Sequence, residues 1–141
     1  MNKSFLILVS LILCIPTVES QTQEREQAIT ASVKQVASEN NKVRLSRIVV
    51  NPMRLNEYNA FLKEEIEESM RLEPGVLTLY ATSEKEHPNK ITILEIYADE
   101  AAYQSHIKTP HFQKYKQGTL DMVLDLELID MNPLIPGLKI K

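Results

Sequence analysis

Cysteine is nearly absent from this chain of 141 residues. Its one cysteine, Cys14, falls inside an apolar stretch from Phe5 to Ile15. Lys3 precedes that stretch, and Pro16 and the pattern Val18-Glu19-Ser20 follow it. A charged start, an apolar middle too short to span a bilayer and a small-residue close mark a secretory signal peptide, read as residues 1–20. Anchoring as a lipoprotein through Cys14 is the competing reading, disfavoured because Leu13 stands where a small residue is expected. Cleavage after Ser20 leaves a mature chain without a thiol. Disulfides, thiolate catalysis and zinc–cysteine sites are then excluded together. The export reading places the protein in a periplasmic or extracellular compartment, with no membrane span once the leader is removed.

Glycine is scarce as well. The three glycines form neither GxGxxG nor GxxxxGK[ST], which argues against a nucleotide-binding α/β enzyme. There is no basic excess: 16 Lys and Arg against 19 Asp and Glu give a net charge of -3, and the cations are scattered. Nothing resembles the electrostatic footprint of a nucleic-acid binder. Tryptophan is absent. What remains, 43% hydrophobic and 25% charged, is the composition of an ordinary globular domain, and the length suits one.

Residues 21–42 are polar, with Ile29, Val33 and Val36 as a thin stripe, and read as a linker carrying a weak helix. Val43 to Val50 is β-branched and apolar, a strand closed by Asn51-Pro52. Leu55, Tyr58, Leu62, Ile66 and Met70 then recur at three and four, predicting a helix to Leu72 with this stripe buried. Lys63, Glu64, Glu67, Glu68 and Arg71 form its solvated face, and Glu73-Pro74-Gly75 stops it. Val76 to Thr82 is a strand with Leu77, Leu79 and Ala81 on one side and Val76, Thr78 and Tyr80 on the other. A polar hairpin loop with His87 leads to a strand from Ile91 to Ala98, where Ile91, Ile93, Glu95 and Tyr97 share a face. Glu95 is the local contradiction there. It requires a hydrogen bond or a wet cavity, because an unpaired buried carboxylate is costly.

Asp99 is an N-cap for a helix through Lys108, and Thr109-Pro110 opens another that fades after Gly118. His106 and His111 flank the joint. From spacing alone they either face a common cavity or tip outward at a polar corner. Five apart across a helix break, and with His87 remote, they do not read as a metal site. Val123 to Met131 is the last strand, and residues 132–141 form an extended, proline-containing tail. The order β-α-β-β-α-β is ferredoxin-like, an α+β fold with both helices on one sheet face. Apolar residues occupy both strand faces, as Leu45 with Ile48 and Ile93 with Leu94. A chain this small cannot cover both, so pairing of sheet faces in a homodimer is expected.

Three stretches carry a family resemblance over residues 43–131: Glu73-Pro74-Gly75 before a strand, Ile93 to Tyr97 leading into Ala98-Asp99-Glu100, and His106-Ile107-Lys108-Thr109-Pro110-His111-Phe112. Together they resemble the antibiotic biosynthesis monooxygenase family, and within it the small quinol monooxygenases. The resemblance implies a dimeric α/β barrel that oxygenates quinol-like or polyketide-like aromatics with O2, without flavin, haem or metal. It implies His106 as base or proton shuttle and His111 as second candidate. Tyr80, Glu95, Tyr97, Tyr103 and Phe112 would bind the substrate. The haem-degrading branch relies on an asparagine, a tryptophan and a histidine, and the missing tryptophan counts against it; Tyr97 stands where many relatives carry that residue. Export is atypical of the cytoplasmic members, so the aromatic is left open. The alternative is a non-catalytic dimeric module that holds a small hydrophobic ligand.

Overall fold

The structure, a computed structural model, describes residues 21–30 and 40–135. The leader with Cys14, residues 31–39 and the end of the tail at 136–141 lie outside the described residues. Residues 21–30 form a helix, α1. The folded domain runs β1 (Lys42–Val50), α2 (Leu55–Leu72), β2 (Val76–Ser83), β3 (Lys90–Tyr97), α3 (Glu100–His106), α4 (Pro110–Thr119) and β4 (Val123–Met131). The four strands make one antiparallel sheet in the order β2-β3-β1-β4. This is the ferredoxin-like arrangement expected from the element order.

Local chemistry sets the element ends. Asn51 accepts a hydrogen bond from the Met53 amide, and Pro52 opens a short 3-10 turn that leads into α2. Asp99 accepts from the Ala102 amide and caps α3, which ends at His106 rather than Lys108. Thr109 caps α4 by accepting from the Phe112 amide, with Pro110 at the first helical position. The Thr109 hydroxyl also donates to the His106 carbonyl at 2.8 Å, tying the two helices across their joint.

Two sequence expectations need correction. Along α2 the buried line is Tyr58, Leu62, Glu65 and Ser69, while Met70 is 46% exposed. Steps of four residues drift about 40° per turn on a helix of 3.6 residues, so the fully buried line passes to Glu65 and Ser69, Ile66 stays partly buried against the core and Met70 turns outward. In β2 the register shifts between Val76 and Thr78, so Leu77 drops out of the alternation. Val76 pairs with Tyr97 and Leu79 with Glu95, which puts Val76 on the same side as Leu79 and Ala81.

The core lies between the sheet and the helices: Ile48, Val50, Tyr58, Leu62, Ile91, Ile93 and Met122. Gly75 is a close-approach position. A Cβ there would lie 2.7 Å from the Cβ of Ala102 in α3, so only glycine lets the turn after α2 rest on that helix. Residues 132–135 of the tail lie exposed. Among the described residues, no helix is long and apolar enough to cross a membrane.

Candidate active site

A cavity of about 610 Å³ lies between the helix side of the sheet and α2, α3 and α4. Its walls divide by register. Ile48, Leu62, Ile93, Phe112 and Tyr115 make an apolar and aromatic end, bordered by leucines of β4. Arg44, Ser46, Glu65, Glu95, Tyr103 and His106 make a polar one. Burial of so many polar groups is tolerable only if they satisfy one another.

They do. His106, 2% exposed, closes α3 with its ring 5.3 Å from Tyr97 and 4.9 Å from Phe112. Its Nδ1 lies 3.0 Å from Glu73 Oε1, and Nε2 of His111, in the first turn of α4, lies 2.6 Å from the same oxygen. The two histidines therefore converge instead of tipping outward. Burial works to raise the pKa of Glu73, but hydrogen bonds from His111 and His106 outweigh it and hold the carboxyl below its usual value. A carboxylate only accepts, so both facing nitrogens donate. That puts a proton on His106 Nδ1 and leaves Nε2 as the ring nitrogen that faces Glu65. Glu65 Oε1 lies 3.6 Å from this Nε2 and accepts from the Ser69 hydroxyl at 2.9 Å. Burial pushes the Glu65 carboxyl up, toward the neutral acid.

Glu95 resolves its contradiction both ways. It accepts from the hydroxyl of Ser46 and, at 2.9 Å, from that of Tyr97, and it lines the cavity. Burial first, then the neighbouring Glu95 carboxylate, pushes the Tyr97 phenol upward. Arg44 donates to Tyr103 Oη at 2.6 Å and is held from the other side by Asp130 at 2.8 Å. Tyr58 and Tyr115 share a hydrogen bond of 2.5 Å between hydroxyls, and burial raises Tyr58 to about 12.

A sequence profile of the family described as antibiotic biosynthesis monooxygenase matches residues 43–118. A crystal structure from Bacteroides thetaiotaomicron VPI-5482, of a protein named as a proposed antibiotic biosynthesis monooxygenase, is 77% identical. The match covers 74% of this chain and 99% of that one, with a TM-score of 0.73. The chain belongs to the antibiotic biosynthesis monooxygenase family. A proposed monooxygenase from Lactobacillus acidophilus NCFM is 30% identical over 64% of this chain and 43% of that one, with a TM-score of 0.63. A Nitrosomonas europaea protein at 17% identity, TM-score 0.65, covering 70% of this chain and 94% of that one, shares the fold. No curated protein matches the chain.

In this family member, His106, Glu95, Tyr97, Tyr103 and Phe112 line the cavity. His111 stands behind His106, joined to it through Glu73. Tyr80 is 66% exposed and opposite Leu94, on the sheet face away from the helices, so it is not part of the cavity wall. Sequence reasoning missed Glu73, Glu65, Ser46 and Arg44. Glu65 had a usable signal, its place on the 3.6-residue line through Tyr58, Leu62 and Ser69. Glu73 had none beyond its position at a helix stop.

The lowered Glu73 carboxyl has a consequence for stability. Its contribution is present above the unfolded value, near 4.5, and is lost as pH falls through the lower folded value. Glu73→Gln removes that part of the pH dependence. In chemical unfolding of wild type and variant, the stability gap between them narrows below pH 4.5. A gap that stays constant down to the acid transition contradicts this assignment.

Proposed function

We propose that this chain is a monooxygenase that uses O2 to oxidise a small, electron-rich hydroxylated aromatic of the hydroquinone or polyketide type, with its own side chains and no cofactor. The observation that carries the proposal is the Glu73–His106 pair, which holds the imidazole in a fixed orientation at the wall of the cavity, across from its apolar and aromatic end. Carboxylate, oriented imidazole and acidic substrate proton form the arrangement of a general base.

His106 Nε2 takes the proton of a substrate hydroxyl, with the buried Glu65 carboxyl beside it at 3.6 Å. Arg44 and Tyr103 offer donors for charge left on the substrate, and Glu95 accepts from a further hydroxyl. Tyr97 and Phe112 hold the ring, and the apolar end keeps water from the reactive anion. The phenolate gives electrons directly to O2. For a hydroquinone, one oxygen atom replaces a ring hydrogen and the other leaves as water, so the substrate supplies all four electrons and becomes a hydroxyquinone. His111 acts through Glu73 as a positioning residue.

Two further parts belong to this proposal. Val43, Leu45, Leu94, Ile96 and Ile129 lie on the sheet face away from the helices and remain partly exposed. A second copy covers that face, and sedimentation at micromolar concentration reads a dimer; a stable monomer removes this part. Export through residues 1–20 places the reaction outside the cytoplasm, and amino-terminal sequencing of secreted material starts at Gln21.

Hydroquinones of different ring size, incubated with the full chain in air and under argon, test the central claim. Product above the spontaneous rate in air only, with one labelled oxygen retained from 18O2, supports it. Tight binding of the same aromatics with no oxygen uptake refutes it and leaves a binding module for hydrophobic ligands.

A further inference from the structure

Glu73, His106 and His111 are more closely gathered than a base and its orienting carboxylate require. One carboxylate oxygen and two imidazole nitrogens, from the end of α2, the end of α3 and the first turn of α4, lie within 4.8 Å of one another. Two of these separations are 2.6 and 3.0 Å. Ligand atoms around a tetrahedral zinc, each at roughly 2.0–2.2 Å, stand about 3.3 Å apart. For one ion to sit among all three, the carboxylate oxygen retreats by a few tenths of an ångström and the two nitrogens, within 4.8 Å of each other, close by up to about 1.5 Å.

We propose that Glu73, His106 and His111 form a binding site for a divalent transition cation such as zinc. Three observations support it. The donor set, two imidazoles and one carboxylate, suits zinc and leaves a fourth position for water. The other ring nitrogen of His106 faces a second carboxylate, Glu65, at 3.6 Å. A partner acidic group on the far side of the ring is the usual companion of a ligating histidine. Finally, the site has an outer side: Glu73 and His111 keep 13% and 12% of their side-chain surface, whereas His106 is at the inner wall.

In the metal-free triad the two N–H groups fill the space between nitrogens and oxygen. An ion takes their place. His106 must then give up its Nδ1 proton and carry one on Nε2, facing Glu65 and the cavity. With the ion bound, the nitrogen facing Glu65 is a donor. Binding itself does not depend on the oxygenase proposal, because it is read on the metal.

Cobalt(II), a visible reporter of low-symmetry N/O sites, is added to the untagged full chain and then displaced with zinc. One equivalent should produce visible d–d bands that zinc abolishes. His111→Gln keeps an amide to hydrogen-bond Glu73 but is a poor ligand, and it should weaken binding by at least about tenfold. Glu73→Gln gives a second probe with the same expected loss, while His87→Gln in the hairpin loop leaves binding unchanged. Far-UV circular dichroism melts confirm that each variant is folded. Absence of bands in the wild type, or affinity that survives both His111→Gln and Glu73→Gln, overturns the proposal. Either result is independent of oxygen uptake, so it leaves the oxygenase reading to its own test.

Discussion

Replacing His106 by alanine lowers kcat/KM for the preferred hydroquinone by about 10²- to 10⁴-fold, the range for loss of a positioned general base. The loss appears in kcat, since the aromatic walls that bind the ring remain. Glu73→Gln gives the discriminating result. An amide in that place donates as well as accepts, so the tautomer of His106 is no longer held, and the pH profile of kcat/KM changes shape along with its height. If His106 served only to fill space, His106→Ala would alter KM and melting temperature while leaving the rate of the chemical step intact. Stopped-flow oxidation in air-saturated buffer, read against the spontaneous rate, separates the two outcomes. Burial of His106 at 2% exposure makes His106→Asn the companion variant, smaller in perturbation and equally unable to act as a base.

The largest effect on stability is expected at Tyr58. It is fully buried in the first turn of α2, packs edge-on against Tyr115 at 5.9 Å between ring centroids, and shares the 2.5 Å hydroxyl contact with it. Tyr58→Ala empties an aromatic volume from the core and costs about 3–5 kcal/mol. Tyr58→Phe keeps the ring and removes one partner of a buried hydrogen bond, costing about 1–3 kcal/mol because the Tyr115 hydroxyl is left without its mate. Urea unfolding of both variants measures the difference. Equal losses would mean that the hydroxyl pair, rather than the ring, carries the stability of this contact. Since Tyr115 also lines the cavity, Tyr58→Phe additionally alters ligand affinity at the apolar end.

Local chemistry was readable from the chain before folding was considered. Thr109 and Pro110 announce a helix start whatever surrounds them, and so does Asp99, because a cap needs only neighbouring amides. The run from Leu55 to Leu72 and the alternation of β4 were equally plain. The second half of α2 was not. Met70 looks like core by hydrophobicity, but helix pitch carries the fully buried line to Glu65 and Ser69, where polar groups answer His106. The bulge that removes Leu77 from the alternation of β2 leaves no compositional mark. Glu73 was the hardest to see: its partners stand 33 and 38 residues further along, and only the docking of α3 and α4 brings them to it. For the same reason Tyr80, an aromatic on a strand of the right type, could be assigned to a sheet face only once the register with β3 was known.

The turn at Gly75 carries a mechanical implication. Bare backbone meets the Ala102 methyl of α3 there, and a Cβ at position 75 would lie only 2.7 Å from it, too close for two carbons to stand. The height of α3 above the sheet, and with it the depth at which the imidazole enters the hollow, is thus gauged by the thickness of bare main chain. A methyl at position 75 would act as a shim, lifting the ring away from the aromatic floor while leaving every residue that touches the ligand unchanged.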